Sequence, residues 1–266
     1  MKDIIIFTGQ SNMQGQADKL LCDTPVEGAL EYRFLTDSLI PLKNPCGEDI
    51  AFDGSEGYFH DTPGKTNWHA ENALGSTCYH FTSMVPKFCE VYINEAAKAG
   101  ERPEVTAVHA AKGATRVNYW LPGTPAYEVF IKKCRGAIAK SGETRRRFVV
   151  WLQGESDALA SLSKDEYKAQ LSEFGHALEK ELGIDKFGII RVGRFAGDAR
   201  DDEIINAQDE ICREDDFFVM LTDVAAEYSS NPKYKCYMNP NVRGHFGAEG
   251  LCRLGELAAA GLVKYI

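Results

Sequence analysis

The sequence predicts an α/β protein in which a parallel sheet is covered on both faces by helices. Five short apolar strands occur along the chain, helical patterns separate them, and these strands are largely apolar throughout. Apolar strands that alternate with helices are typical of a parallel sheet buried on both faces. The chain has 266 residues, which allows one large domain, and we expect a single domain over residues 1–266.

The first three strands are predicted from short apolar runs. The run DIIIFT at 3–8 has four consecutive apolar residues, and EVTAVHA at 104–110 and RFVVWL at 147–152 are similar in length. Helices are predicted between them at 84–99, which Gly100 follows, and at 126–140. Strand and helix therefore alternate through this part of the chain, except over residues 22–75.

The second half continues the alternation, and its first helix carries the clearest pattern. Ser163 and Glu166 form the sequence signature of a capping box, apolar residues recur every three or four positions to residue 182, and Gly183 marks the end. The remaining predicted elements are a strand at 187–192, a helix at 201–213, a strand at 217–222 and a closing helix at 246–262.

Residues 22–75 show neither pattern and are rich in Gly, Pro, Asn and acidic residues. This stretch is too long for an ordinary loop. We predict an irregular insertion over one edge of the domain that helps to shape a pocket. The stretch 225–244 is similar in kind.

Composition excludes several classes of protein. The net charge of −9 argues against a nucleic-acid-binding protein, because binding to phosphates needs a basic surface.

No apolar run approaches the roughly 18 residues of a membrane helix, and no signal peptide is visible, so we expect a cytoplasmic protein. The eight cysteines form no C-x-x-C pair, which argues against a zinc knuckle or thioredoxin motif. They are scattered in a chain without a visible export signal, so we expect reduced thiols.

Polar clusters follow four of the five predicted strands. They are GQSN at 9–12, KGATR at 112–116, QGESD at 153–157, and the pair Thr222 and Asp223. Ligands of an open parallel sheet bind at the carboxyl ends of its strands. We therefore expect a functional site where these clusters meet.

An acyl-transfer site needs a nucleophile, a base and donors for an oxyanion. Ser11 can act as the nucleophile, and oxyanion donors can come from the backbone N–H groups of Ser11 and Gly113 and from the side-chain amide of Gln153. Each residue also has a structural interpretation. Ser11 could cap a helix, Gly113 could serve a turn, and Gln153 could hold a loop.

Histidine is the expected base, and the chain contains six. His109 lies within a predicted strand and His176 within a helix, so we expect a core and a surface role for them. His60, His69 and His80 lie in or beside the irregular stretch and could line a pocket. His245 precedes the last helix in a loop that can reach the sheet edge, and it is the predicted base.

Other nucleotide and hydrolase motifs are missing. GQSNM is not the G-x-S-x-G elbow of α/β-hydrolases, and the chain has neither a G-x-G-x-x-G after a strand nor a P-loop. A flavodoxin-like flavin binder remains conceivable on fold alone, because one fold hosts many functions.

Four segments together resemble the SGNH/GDSL hydrolase superfamily: GQSNMQG, AAKGATRVNYW, WLQGESDA and GHFGAEG near the end of the chain. Within it they look most like carbohydrate esterase family six, which includes acetylxylan esterases and sialate O-acetylesterase-like proteins. The resemblance implies a three-layer α/β/α sandwich with a five-stranded parallel sheet. It implies Ser11 as nucleophile, His245 as base, an oxyanion hole of Ser11, Gly113 and Gln153, and no metal or organic cofactor.

The sequence departs from that family at one position. The family usually has an acidic residue three positions before its histidine, and this chain has Val242 there. Glu155 is the predicted substitute that orients His245, with Asp223 as a weaker candidate. A backbone carbonyl is a third alternative, and impaired activity is a fourth. Glu155 could equally brace the Ser11 turn.

The expected function is removal of O-acetyl groups from a small-molecule or oligosaccharide acetyl ester through an acetyl-serine intermediate. The alternative is a catalytically impaired protein of the same fold that binds acetylated glycans or another partner. Arg116, Trp120 and His69 are candidate substrate-binding residues, although Arg116 could instead tie the loops together and Trp120 could pack in the core.

Overall fold

The apolar run at the start of the chain forms the central strand of the sheet. The computed structural model describes residues 2–48 and 82–266. In these residues seven strands form one sheet, in the order β3-β2-β4-β1-β5-β6-β7. The strands are β1 Lys2–Gly9, β2 Ala29–Arg33, β3 Ser38–Pro41, β4 Glu104–Ala111, β5 Arg146–Leu152, β6 Lys186–Ile190 and β7 Phe218–Thr222. Only β3 is antiparallel to its neighbour.

Helices cover both faces of this sheet, as predicted. They are α1 Ser11–Gln14, α2 Val85–Lys98, α3 Pro125–Ser141, α4 Glu155–Leu159, α5 Lys164–Leu182, α6 Ala199–Glu214, α7 Ala225–Ser230 and α8 Ala248–Leu262. Short 3₁₀ turns occur at Val117–Trp120, Pro232–Tyr237 and Val263–Tyr265. The predicted start of α5 is confirmed, because Ser163 and Glu166 form a complete capping box.

The side chains of β1 alternate between two cores. Ile4 and Ile6 pack on the face covered by α3, α5 and α6, whereas Ile5 and Phe7 pack on the face covered by α2 and α8. Successive residues of a strand point to opposite faces, so an apolar run of this kind needs a layer on each side. The three-layer α/β/α arrangement follows from this pattern.

The sheet has seven strands in the described residues and not the five that were predicted. The two additional strands, β2 and β3, lie within the stretch predicted to be an irregular insertion. The sequence of β2 does not show the usual strand pattern. Charged Glu31 and Arg33 are buried in the structure, whereas apolar Leu30 is exposed. The remainder of that stretch, residues 49–75, lies outside the described residues.

The charged residues of β2 belong to a buried cluster of two acidic and two basic side chains. Glu31 lies 3.1 Å from Arg33, and Glu48 lies 2.6 Å from Lys133 of α3. All four side chains are almost fully buried. Glu48 also accepts hydrogen bonds from the backbone N–H groups of residues 34 and 35. The cluster attaches β2 and the following loop to α3 through paired charges instead of apolar contacts.

Replacing Lys133 by Met should therefore destabilise the protein. The change leaves the Glu48 carboxylate buried without its cation, which costs about 3–5 kcal/mol for such pairs. Arg135→Met is the matched control on the same helix, since Arg135 pairs with Glu181 near the surface and such pairs contribute at most about 1 kcal/mol. Urea denaturation measures both. Equal losses of unfolding free energy in the two variants would contradict this account.

Candidate active site

The central strand and its two neighbours end at the same level. Gly9 of β1 is paired with Ala111 of β4 and with Leu152 of β5. The polar clusters that follow these three strands therefore begin side by side, as expected from the sequence. Gly9 has a φ of +140°, and a Cβ on it would lie 2.1 Å from the carbonyl oxygen of Leu152. Only glycine permits this close approach of β1 to β5 at the point where the chain turns.

The structure brings Ser11 and His245 together across 234 positions of sequence. The Nε2 atom of His245 lies 2.8 Å from the Oγ atom of Ser11. Ser11 is the first residue of α1, directly after the central strand, and His245 lies in the loop before α8. A hydroxyl and an imidazole at hydrogen-bond distance are the geometric signature of an activated nucleophile.

The other nitrogen of His245 is held by a backbone carbonyl. Its Nδ1 atom lies 2.9 Å from the carbonyl oxygen of Arg243. A carbonyl oxygen only accepts hydrogen bonds, so Nδ1 carries the proton and Nε2 presents its lone pair to Ser11. Of the alternatives considered for the orienting group, the described residues provide this one.

Glu155 makes a different contact from the one predicted. In the described part of the chain its Oε1 atom accepts a hydrogen bond of 2.7 Å from the side chain of Asn12, and no hydrogen bond joins it to His245. Burial raises the pKa of Glu155 above its ordinary value, and the Asn12 hydrogen bond acts in the opposite direction. Asp223 also does not contact His245, since it pairs with Arg191.

Asn12 connects Glu155 to the backbone on both sides of the histidine. Its Oδ1 accepts from the N–H of Phe246 at 3.1 Å, and its Nδ2 lies 3.4 Å from the carbonyl oxygen of Gly244. Because Asn12 follows Ser11 directly, this side chain ties the histidine loop to the turn that carries the serine. Glu155 fixes the amide of Asn12, which corresponds to the bracing role considered for it.

An aromatic ring packs against the imidazole. Phe195 meets His245 edge to face, with ring centroids 5.8 Å apart. Asp201 accepts hydrogen bonds from three successive backbone N–H groups that begin at Phe195. Sequence reasoning missed Phe195, because the loop after the fourth predicted strand contains no obvious polar cluster.

The predicted oxyanion donors differ in their surroundings. In the described part of the chain, the backbone N–H groups of Ser11 and Gly113 make no hydrogen bond to another residue. The amide nitrogen of Gln153, in contrast, contacts the carbonyl oxygen of Thr115 at 2.9 Å, Gln10 at 3.3 Å and Asp157. Those contacts use both N–H bonds of the Gln153 amide. The side chain therefore holds the loop, and no N–H remains for an oxyanion.

The prediction that Trp120 binds substrate is wrong. Its side chain is completely buried among Phe130, Trp151 and Phe174, and its indole N–H donates to Thr115. The Trp120 ring was expected to stack on a sugar, but it packs against other aromatic rings in the core. Arg116 is exposed at the start of the 3₁₀ turn. His69 lies outside the described residues, as do His60 and His80.

The remaining histidines occupy the structural positions that were expected. His109 is buried, and its Nε2 lies 3.0 Å from the carbonyl oxygen of Met13, while burial lowers its pKa to about 4. His176 lies on the surface of α5 between Glu179 and Asp215.

A cavity of about 230 Å³ adjoins Ser11 and His245. Four apolar side chains line part of it, namely Ala114, Leu159, Phe195 and Val242, and four polar side chains line the rest, namely Gln10, Gln16, Glu155 and Ser156. A cavity of about 470 Å³ beside Cys22 and Lys87 contains none of the candidate residues. The smaller cavity is therefore the one lined by the predicted nucleophile and the predicted base.

No helix in residues 2–48 and 82–266 combines the length and apolar character needed to cross a bilayer.

The pKa of His245 should lie below the ordinary histidine value of 6.5, and the pKa of His176 should lie above it. Burial lowers the pKa of His245, and its hydrogen bond to Arg243 only partly offsets this. Burial also lowers the pKa of His176, but hydrogen bonds to Glu179 and Asp215 outweigh it and raise the net value. An NMR titration of the imidazole protons measures both. A pKa for His245 above that of His176 would contradict the site described above.

Comparison with known proteins agrees with this architecture. A probable carbohydrate esterase of Arabidopsis thaliana is 29% identical over 205 residues, which cover 77% of this chain and 74% of that protein. The crystal structure of the same Arabidopsis protein matches with a TM-score of 0.72 at 20% identity, over 99% of both chains.

Two further structures share the fold at lower identity. NanS matches with a TM-score of 0.63 at 11% identity, over 99% of this chain and 97% of that one. A carbohydrate acetylesterase from Xanthomonas citri matches with a TM-score of 0.52 at 12% identity, over 99% of this chain and 56% of that one. The family model described as carbohydrate esterase, sialic acid-specific acetylesterase matches residues 70–264, and the chain belongs to that family.

Proposed function

We propose that the protein removes O-acetyl groups from a carbohydrate through an acetyl-serine formed on Ser11. The observation that carries this proposal is the 2.8 Å contact between Ser11 Oγ and His245 Nε2 beside a cavity. Membership of a carbohydrate esterase family supports the substrate class. The acetylesterase description of that family and the carbohydrate acetylesterase from Xanthomonas citri support the acetyl ester as the bond that is cleaved.

The first half of the reaction forms the acetyl-serine. Ser11 Oγ attacks the acetyl carbonyl carbon while His245 Nε2 takes the serine proton. The backbone N–H groups of Ser11 and Gly113 donate to the oxyanion that develops, a contribution that typically accounts for roughly 10²–10³ in rate per donor. His245 then gives the proton to the leaving sugar oxygen, and the carbon–oxygen bond of the ester breaks.

The second half regenerates the enzyme. Water attacks the acetyl-serine, and His245 takes one proton from the water. The bond to Ser11 Oγ then breaks as His245 returns that proton to Oγ, and acetic acid leaves and releases its remaining proton to solvent to give acetate. The Arg243 carbonyl keeps Nδ1 protonated in both halves, so the tautomer of His245 is set without a carboxylate. This contact favours catalysis over the alternative of an impaired, glycan-binding protein.

Ser11→Ala should abolish turnover. Acetate release from 4-nitrophenyl acetate and from an acetylated methyl glycoside should fall by at least about 10³-fold, since the nucleophile is removed. An organophosphonate should add covalently to Ser11 of the unmodified protein, and mass spectrometry of the intact chain measures the adduct. Thr8→Ala is the control, because Thr8 is buried nearby in β1 and lies outside the cavity lining. Equal trace rates in the unmodified protein and Ser11→Ala would favour the binding alternative.

The pH profile should show how His245 is oriented. The base works only while neutral, so a lowered pKa keeps kcat/KM high to a pH below 6.5. Val242→Asp places a carboxylate at the usual family position, which should raise the pKa of His245 and move the acid limb to higher pH. Val242→Asn is the uncharged control and should leave the limb near its original position. An unchanged limb in Val242→Asp would show that residue 242 does not face the imidazole.

A further inference from the structure

Two polar atoms beside the proposed nucleophile are buried without a partner. In the described part of the chain, the amide nitrogen of Gln16 and the Oε2 atom of Glu155 make no hydrogen bond. Gln16 is 3% exposed and Glu155 is 2% exposed, and both residues line the cavity that contains Ser11 and His245. Buried polar groups are nearly always hydrogen-bonded in folded proteins, so each such exception needs an explanation.

Other contacts hold both residues in place. Glu155 is fixed through its other oxygen by Asn12, at 2.7 Å. The backbone carbonyl of Gln16 accepts a hydrogen bond of 2.7 Å from Asn239. The Oε1 atom of the polar neighbour Gln10, in contrast, faces the amide nitrogen of Gln153 and two backbone N–H groups. Among the described residues that line this cavity, Gln16 and Glu155 are the two with a buried polar side-chain atom that has no partner.

The chemistry of the pair selects one kind of ligand group. The Gln16 nitrogen donates hydrogen bonds, whereas a carboxylate oxygen of Glu155 accepts them. A hydroxyl group can accept from the first and donate to the second. No lysine or arginine is among the described residues that line the cavity, so none of them offers a cation to a ligand carboxylate.

We propose that Gln16 and Glu155 recognise a free hydroxyl group on the carbon next to the acetyl ester. This inference rests on the proposed function and deepens it, since it defines the part of the substrate that is bound beside the ester. A partly acetylated sugar with a neighbouring free hydroxyl fits the pair, whereas a fully acetylated sugar does not. A site built to hydrogen-bond a substrate hydroxyl discriminates against analogues that lack it, because its own polar groups then stay unpaired.

The test compares two esters that differ at one hydroxyl, 2-hydroxyethyl acetate and 2-methoxyethyl acetate. The unmodified protein should prefer the hydroxyl compound in kcat/KM by about tenfold or more. Gln16→Met keeps the size of the side chain and removes the donor, and it should lower that preference about tenfold. Gln16→Glu replaces the donor by an acceptor and should lower it at least as much. Melting temperatures check that both variants are folded.

Gln14→Met is the matched control. Gln14 is also 3% exposed and has no partner for its side-chain amide in the described residues, but it lines a separate small cavity with Glu48 and His109. Its substitution should leave the preference between the two esters unchanged. The same preference in the unmodified protein and in both folded Gln16 variants would overturn the proposal.

Failure of the proposed function gives a different result from failure of this inference. If the unmodified protein hydrolyses neither ester and its Ser11 resists the organophosphonate, the esterase proposal fails. Binding then decides the inference, through saturation-transfer NMR with an acetylated methyl glycoside that carries a free neighbouring hydroxyl. Weaker transfer in Gln16→Met than in Gln14→Met would support hydroxyl recognition, and equal transfer would overturn it.

Discussion

The site depends on the register of the central strand with its two neighbours. β1 is paired with β4 and β5 so that Gly9, Ala111 and Leu152 lie level at the carboxyl edge. A shift of one residue would exchange the faces of Ile4 to Phe7, so that each side chain would have to pack in the opposite core. Close packing in both cores therefore fixes the register. The core thereby also determines where the three polar turns meet. The position of Ser11 follows from the packing of residues that take no part in chemistry.

Hydrogen bonds join the turns at the carboxyl ends of the central strands. Asn12 joins the serine turn to both peptide groups around His245, and Glu155 holds Asn12 in turn. Hydrogen bonds among buried groups are strong but demand correct geometry, because an unpaired member is costly. The same low-dielectric surroundings raise the pKa of Glu155 and lower that of His245. One environment therefore favours the neutral form of both side chains.

Sequence patterns predicted the apolar strands, the helices and the serine–histidine pair, since each leaves a local signature. They missed β2, because burial of Glu31 and Arg33 becomes favourable only when Glu48 and Lys133 arrive from distant positions. The partner of His245 could not be predicted either. A backbone carbonyl is present at every position, so composition and spacing give no sign of which one faces an imidazole. Trp120 was misassigned because a loop position does not reveal whether a ring packs inward.

The carbonyl of Arg243 has a consequence for how this site tolerates change. A carboxylate that orients a histidine is lost by a single substitution, whereas a main-chain oxygen persists whatever side chain position 243 carries. Position 242 also needs no acidic residue to orient the histidine, and Val242 instead contributes apolar surface to the cavity. The sequence can therefore drift at both positions while the imidazole keeps its tautomer. A motif search that requires an acidic residue three places before the histidine would overlook proteins of this kind.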